Sequence, residues 1–231
     1  MKNKIGGYAL AIVGLFSVLM MLDRIEAAYA DTPAPGQEPT LSRILERVEQ
    51  RYDVPGFSAN FFQLAAIKAM DISDEATGKI FVKRPGKMRW EYEKPDRQII
   101  ITNGRQMWVY RPEDNQVMIG KSPTFFGDGK GAGFLADIKV LRRKFEISLI
   151  ERKDDRFHIL KLVPLETVAD IATIHLYISR TTFDIKRVVT FNVYGDETRI
   201  DLLNSQFRIV PKDALFDFSI PAGVDVLTLD E

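Results

Sequence analysis

The sequence predicts a mainly β (α+β) domain, with about eleven short antiparallel strands and few helices. Three observations carry that expectation. Apolar and polar residues alternate with period two in a series of short runs from Phe57 to Phe207. Turn-forming pairs such as Asn103-Gly104, Asp154-Asp155 and Gly195-Asp196 separate the runs. Helical periodicity is confined to two stretches, one before Pro55 and one after Gly133.

Taken in order, the first thirty residues stand apart. Lys2 and Lys4 precede an apolar run over residues 8–22, and Ala28-Tyr29-Ala30 then forms a small-x-small cleavage site. Residues 1–30 therefore read as a signal peptide cut after Ala30. Asp23, Arg24 and Glu26 lie between the run and the cut, which keeps an uncleaved single-span anchor open. Residues 31–39 hold three prolines and a glycine with little apolar content and read as a flexible linker; a single domain over residues 40–231 follows.

Thr40 can cap a helix in which Leu41, Ile44, Leu45, Val48 and Tyr52 form one stripe, with Arg43, Glu46, Arg47 and Glu49 on the other side. Pro55 and Gly56 end it. The clearest strand covers residues 87–93, where Met88, Trp90 and Tyr92 alternate with Lys87, Arg89, Glu91 and Glu93. One apolar and one charged face is the mark of a half-buried antiparallel strand. Similar runs occupy residues 57–64, 78–83, 98–102, 106–110 and 116–119, and longer ones 144–152, 156–163, 173–179, 185–194 and 198–207. Between the two sets, a glycine-rich stretch leads into an expected second helix carrying Phe134, Leu135, Ile138 and Leu141 on one side. A helical turn is expected over residues 211–215, after which Phe216, Phe218 and Ile220 alternate.

Composition excludes several functions. The chain carries 32 basic and 32 acidic residues, and loss of residues 1–30 leaves 29 and 30, a balance with no general attraction for nucleic acid or anionic membranes. There is no cysteine, hence no disulfide, no thiol nucleophile and no lipid-attachment site. The two histidines, His158 and His175, sit in alternating strands without a metal-ligand spacing. The loop from Gly127 to Gly133 lacks the Lys-Ser/Thr of a phosphate cradle, since Gly131 follows Lys130. No catalytic group, metal or cofactor is expected, and the chain does not read as an enzyme.

Four segments carry more specific information. They are Phe57-Ser-Ala-Asn-Phe-Phe-Gln63; Gly78-Lys-Ile-Phe-Val-Lys-Arg-Pro85 followed by Trp90 and Pro95-Asp96; Asn103-Gly104 followed by Trp108 and Tyr110; and the ending with Phe216, Phe218, Pro221, Gly223, Val224 and Val226. In this order and over this span the chain resembles the LolA family of periplasmic lipoprotein carriers. The resemblance implies an unclosed antiparallel barrel whose concave side is covered by short helices as a lid. It also implies a job in the periplasm, taking acylated lipoproteins from an ATP-driven (ABC-type) inner-membrane releasing complex to an outer-membrane receptor. That receptor, LolB, is itself a lipoprotein, so a chain without cysteine fits the soluble carrier, expected to act as a monomer.

On this reading Ile80, Val82, Met88, Trp90, Tyr92, Met107 and Val109 line an acyl-chain cavity, and Leu41, Ile44, Leu45, Phe134, Leu135 and Ile138 are undersides of the lid. The plain alternative is a solid core, which apolar alternation alone does not distinguish. Arg84 falls on the same strand face as Ile80 and Val82, where a charge needs a partner. The resemblance assigns it the role of a latch hydrogen-bonded to lid backbone; the other reading is an arginine that snorkels to solvent before Pro85. Met88 stands where the family commonly has an aromatic, and the Gly127–Gly133 insertion is particular to this chain. Two rivals remain: a lipid-binding shuttle or sensor of the same fold, disfavoured by a chain that ends soon after Val226, and a hydrolase, for which no polar triad is found.

Overall fold

A computed structural model describes residues 38–122, 132–150, 154–167, 170–207 and 209–229. The chain divides into a leading segment up to Thr40 and a compact unit from Leu41 to Glu231. The expected signal peptide and most of the linker lie outside the described residues, as does the Gly127–Gly131 part of the insertion.

Helix α1 (Leu41–Tyr52) precedes six strands: β1 (Gly56–Ile67), β2 (Ile72–Lys83), β3 (Lys87–Lys94), β4 (Gln98–Thr102), β5 (Gln106–Arg111) and β6 (Gln116–Lys121). A 3-10 turn (Gly133–Leu135) and the short helix α2 (Val140–Lys144) lead into β7 (Phe145–Leu149), β8 (Phe157–Pro164), β9 (Thr173–Ser179), β10 (Ile185–Phe191) and β11 (Glu197–Gln206). A second 3-10 turn (Asp213–Phe216) and β12 (Asp225–Thr228) complete the order. The strands form one sheet in the order β12-β6-β5-β4-β3-β2-β1-β11-β10-β9-β8-β7. Its two outer strands do not pair, so the sheet is unclosed, as expected.

The sheet also curls. One buried core runs from Met88 and Trp90 of β3 to Leu160 and Leu162 of β8 beneath α1 and the segment from Gly133 to Leu141. Laid flat, those strands would stand about 29 Å apart, at ~4.8 Å per strand spacing, against about 20 Å for two helices side by side. Bending the sheet around the helices brings its two halves into that core.

Strand alternation fixes what the two faces carry. Cross-strand register sets Phe57, Val82, Met88 and Thr102 in one row and Ala59, Ile80, Trp90 and Ile100 in the next, all toward the helices. Past β11 the same face continues through Ile200, Val188, Leu176 and Leu160. The opposite face of β4 to β6 carries a smaller core, Ile101, Trp108 and Val117, covered by Phe218 and Val224 of the C-terminal segment. That segment is tied down by Asp213, which accepts from Lys83 and Lys87 at 2.7 Å each, and by Arg89 donating to the Leu215 carbonyl.

Three expectations are corrected. The eleven expected strands correspond to β1 to β11, and the described residues hold a twelfth, β12, exposed along its length and paired parallel to β6. The helical turn lies at Asp213–Phe216, slightly later than expected. The second helix is broken in two: Asp137 Oδ1 accepts the Lys139 N–H at 3.1 Å, and a side chain that bonds nearby backbone competes with helix continuation. Phe134, Leu135, Ile138 and Leu141 are nonetheless all buried.

Two measurements check this account. A Cβ at Gly78 would lie 1.9 Å from the Glu91 carbonyl oxygen and 2.8 Å from the Phe61 ring, so Gly78→Ala should lower the stability measured by urea unfolding by about 3 kcal/mol. The two lysines push the Asp213 carboxyl from its usual 3.8 down to about 2. Because the folded value is the lower one, its contribution is present above the ordinary carboxylate range and is lost as pH falls toward about 2. The gap in urea midpoint between the wild type and Asp213→Asn should therefore be constant above that range and close below it.

Candidate functional site

The helix-covered side of the sheet is where the described residues build a large continuous apolar surface. Ile44, Leu45, Val48 and Tyr52 of α1 are buried there, because their spacing puts them on one stripe facing the sheet. They share a single core with Ile80, Val82, Met88 and Trp90, and with Phe134, Leu135, Ile138 and Leu141 of the second covering segment. Leu41 packs at its edge. Phe61 meets the Trp90 and Tyr92 rings edge-on at 5.0 and 4.9 Å.

The cover is attached by a few polar contacts. At the C-terminal end of α1, Arg51 pairs with Asp184 at 2.5 Å and lies over the Phe207 ring, while the buried Tyr52 hydroxyl accepts the Ile185 N–H at 3.1 Å. Burial raises the Tyr52 phenol well above its ordinary value, with the Ile185 hydrogen bond acting in the opposite direction, so it stays protonated. Arg142 of α2 pairs with Glu49 of α1 and also donates to the Ser42 carbonyl. Arg84 joins both pieces to the sheet: Nη1 donates to the Val54 carbonyl just after α1 at 2.7 Å, and Nη2 to the Leu135 carbonyl at 3.3 Å. Burial lowers the guanidinium from its ordinary value, partly offset by Asp137 and Asp53.

Over residues 53–219 the sequence matches the family described as outer membrane lipoprotein carrier protein LolA. The chain belongs to the LolA family. An outer-membrane lipoprotein carrier protein of Nitrosomonas europaea is 28% identical over 171 residues, covering 74% of this chain and 82% of the relative. Its counterpart in Azotobacter vinelandii is 25% identical over 213 residues, covering 92% and 98%. Among solved structures, an uncharacterized conserved protein from Thermus thermophilus superposes with a TM-score of 0.53 at 15% identity, over 81% of this chain and 98% of that one, a likeness of fold. The family is one of carrier proteins, not enzymes.

Against that family background the sequence-predicted residues fall as follows. Ile80, Val82, Met88 and Trp90 lie together beneath the cover, and Tyr92 packs at the margin of the same core. Met107 and Val109 extend the rows by one strand, opposite Thr102 and Ile100, and are buried. All six expected lid residues turn inward. Two clefts bounded by described residues, about 590 and 290 Å³, lie at strand ends and turns. The far half of the surface, Leu160, Leu176, Val188 and Leu202, was not singled out from sequence, although alternation in β8 to β11 marks it. His158 is buried against the Phe183 ring and His175 meets Phe191 edge-on, both among core and strand neighbours.

The anchorage of α1 is testable. Tyr52→Phe leaves the Ile185 N–H buried without an acceptor and should cost about 1–2 kcal/mol in urea unfolding.

Proposed function

We propose that this chain is a periplasmic carrier that holds the acyl chains of lipoproteins against the concave face. It receives them from an ABC-type releasing complex of the inner membrane and passes them to an outer-membrane receptor of the LolB kind. Residues 1–30 direct export, residues 31–39 form the linker, and residues 40–231 carry the passenger as a monomer. The need for such a carrier is physical: at about 0.8 kcal/mol per methylene, exposing three long acyl chains to water costs on the order of 30 kcal/mol.

The observation that carries the reading is the double hydrogen bond of Arg84. A continuous apolar surface on a curled sheet is roofed by two segments, and one charged side chain holds the carbonyls that follow or belong to both. Hydrocarbon enters when the roof lifts and takes over the contacts that Ile44, Leu45, Phe134 and Leu135 make in the closed form. Ile80, Val82, Met88, Trp90, Tyr92, Met107 and Val109 then line the cavity, and methionine's flexible thioether suits tails of varied length. Arg84 is the latch, because opening must break its bonds while the sheet stays intact.

Two hydrogen bonds to a charged donor are worth a few kcal/mol at most, enough to bias a two-state roof and too little to lock it. A closed roof lowers apparent affinity by the fraction of molecules that are open. Arg84→Leu should therefore bind a fluorescent acyl probe about tenfold more tightly and hand it on more slowly to acceptor vesicles. Unchanged uptake and unchanged release would refute the latch. Mass spectrometry of passengers that co-purify with the protein checks the cargo: acylated lipoproteins support the carrier, whereas free lipid alone favours a lipid shuttle.

A further inference from the structure

At one end of the concave face the apolar rows stop. The row after Ala59, Ile80, Trp90 and Ile100 runs Phe61, Gly78, Tyr92 and Gln98, and Gln98 is hydrogen-bonded to Arg111 on the next strand but one from β3. Past this row opens a cleft of about 590 Å³ between the β3–β4 and β5–β6 turns, lined from the sheet by Gln63, Tyr92, Gln98 and Arg111. Tyr92 belongs to both regions. Its ring packs on Phe61 in the apolar core, and its hydroxyl donates to Gln63 Oε1 at 3.1 Å.

The hydrogen-bond pattern selects a ligand chemistry. Gln63 Oε1 is taken by the Tyr92 hydroxyl and Gln98 Oε1 by Arg111 Nε at 3.0 Å, which leaves the NH₂ groups of these two lining residues as the donors to offer a ligand. Arg111 adds guanidinium N–H groups, with Nη1 4.0 Å from the Asp114 carboxylate. The sheet wall is therefore a set of donors that calls for acceptors, namely carbonyl oxygens. The rim sets the charge: Asp96, Glu113 and Asp114 outnumber Arg97 and Arg111. Such a rim opposes an anionic head and tolerates a zwitterionic or cationic one. The volume, within the range of small-molecule sites, is far too large for a single ion.

We infer that this cleft seats the polar end of an acylated amphiphile, its ester and amide carbonyls accepting from Gln63, Gln98 and Arg111, with a zwitterionic or cationic head beyond. The inference rests on the proposed hydrocarbon site, which the cleft adjoins at Tyr92. It assigns the passenger an orientation, with chains under the roof and head at the two turns.

The test uses the full mature chain and two probes, a pyrenyl alkane without a polar head and a tripalmitoylated cysteinyl lipopeptide with a Ser-Lys tail. The paired variant Gln63→Met, Gln98→Met keeps side-chain length and removes the donors; its urea midpoint shows that it is folded. The lipopeptide is expected to bind the variant about tenfold more weakly, with alkane binding unchanged. Equal affinity of wild type and variant for the lipopeptide overturns the inference and leaves the hydrocarbon site standing. Failure of the wild type to bind the alkane overturns the hydrocarbon site, and the inference with it. Dipalmitoyl phosphatidylethanolamine separates the sources: a loss with it as well places ester carbonyls in the cleft, and a loss with the lipopeptide alone places amides there. Phosphatidylglycerol bound as tightly as phosphatidylethanolamine would overturn the assignment of the head's charge.

Discussion

A sheet that curls without closing leaves its concave face with no second sheet to bury it, and every other feature of this chain answers that constraint. In a closed barrel the sheet itself walls the interior on all sides. Here the outer strands β12 and β7 stay apart, so rows such as Ala59, Ile80, Trp90 and Ile100 must be covered by something else. Helix α1 and the segment from Gly133 to Lys144 supply the cover, and their apolar residues are the ones that hydrocarbon would replace.

The cover and the convex side are fastened differently. On the convex side the C-terminal segment is held by Asp213 between two lysines, by Arg89 on a carbonyl and by Phe218 on the small core of Ile101 and Trp108. On the concave side α1 is pinned at one end through buried groups, Tyr52 and Asp184, while the second segment meets α1 through the more exposed pair Arg142 and Glu49. Exposed pairs of that kind contribute little. Arg84 is the exception, since its guanidinium is partly desolvated and its bonds run to backbone carbonyls.

Much of the fold was legible because half-buried strands must alternate. Residues 173–179 have the bounds that alternation predicts, since Ile174, Leu176 and Ile178 are buried and the residues between them are wetter, while residues 98–102, apolar on both faces, are bounded by Pro95-Asp96 and Asn103-Gly104. What escaped lacks that asymmetry. The first half of β2, Ile72 to Glu75, is exposed on both faces, and β12 is exposed throughout, so neither has a buried side to imprint a pattern. The break in the second helix depends on one Asp137 hydrogen bond that periodicity does not register. Twelve strands therefore stand where about eleven were expected.

The site was legible in part, for a reason that bears on its chemistry. Alternation marks Met88 and Trp90 as inward, but an inward residue reads the same whether it meets protein or acyl chain. Only departures from the apolar pattern discriminate. Arg84 is one, a charge on an apolar face whose geometry resolves into two carbonyl bonds. The row of Tyr92 and Gln98 is the other, for there a solid core would continue with aliphatic side chains and this chain places donors in front of a cleft. On the proposed reading the charged tie is the part that opens and the polar end the part that meets a head group. Both lie on the first half of the sheet, the half that carries the family's segments, while the second half supplies plain aliphatic surface.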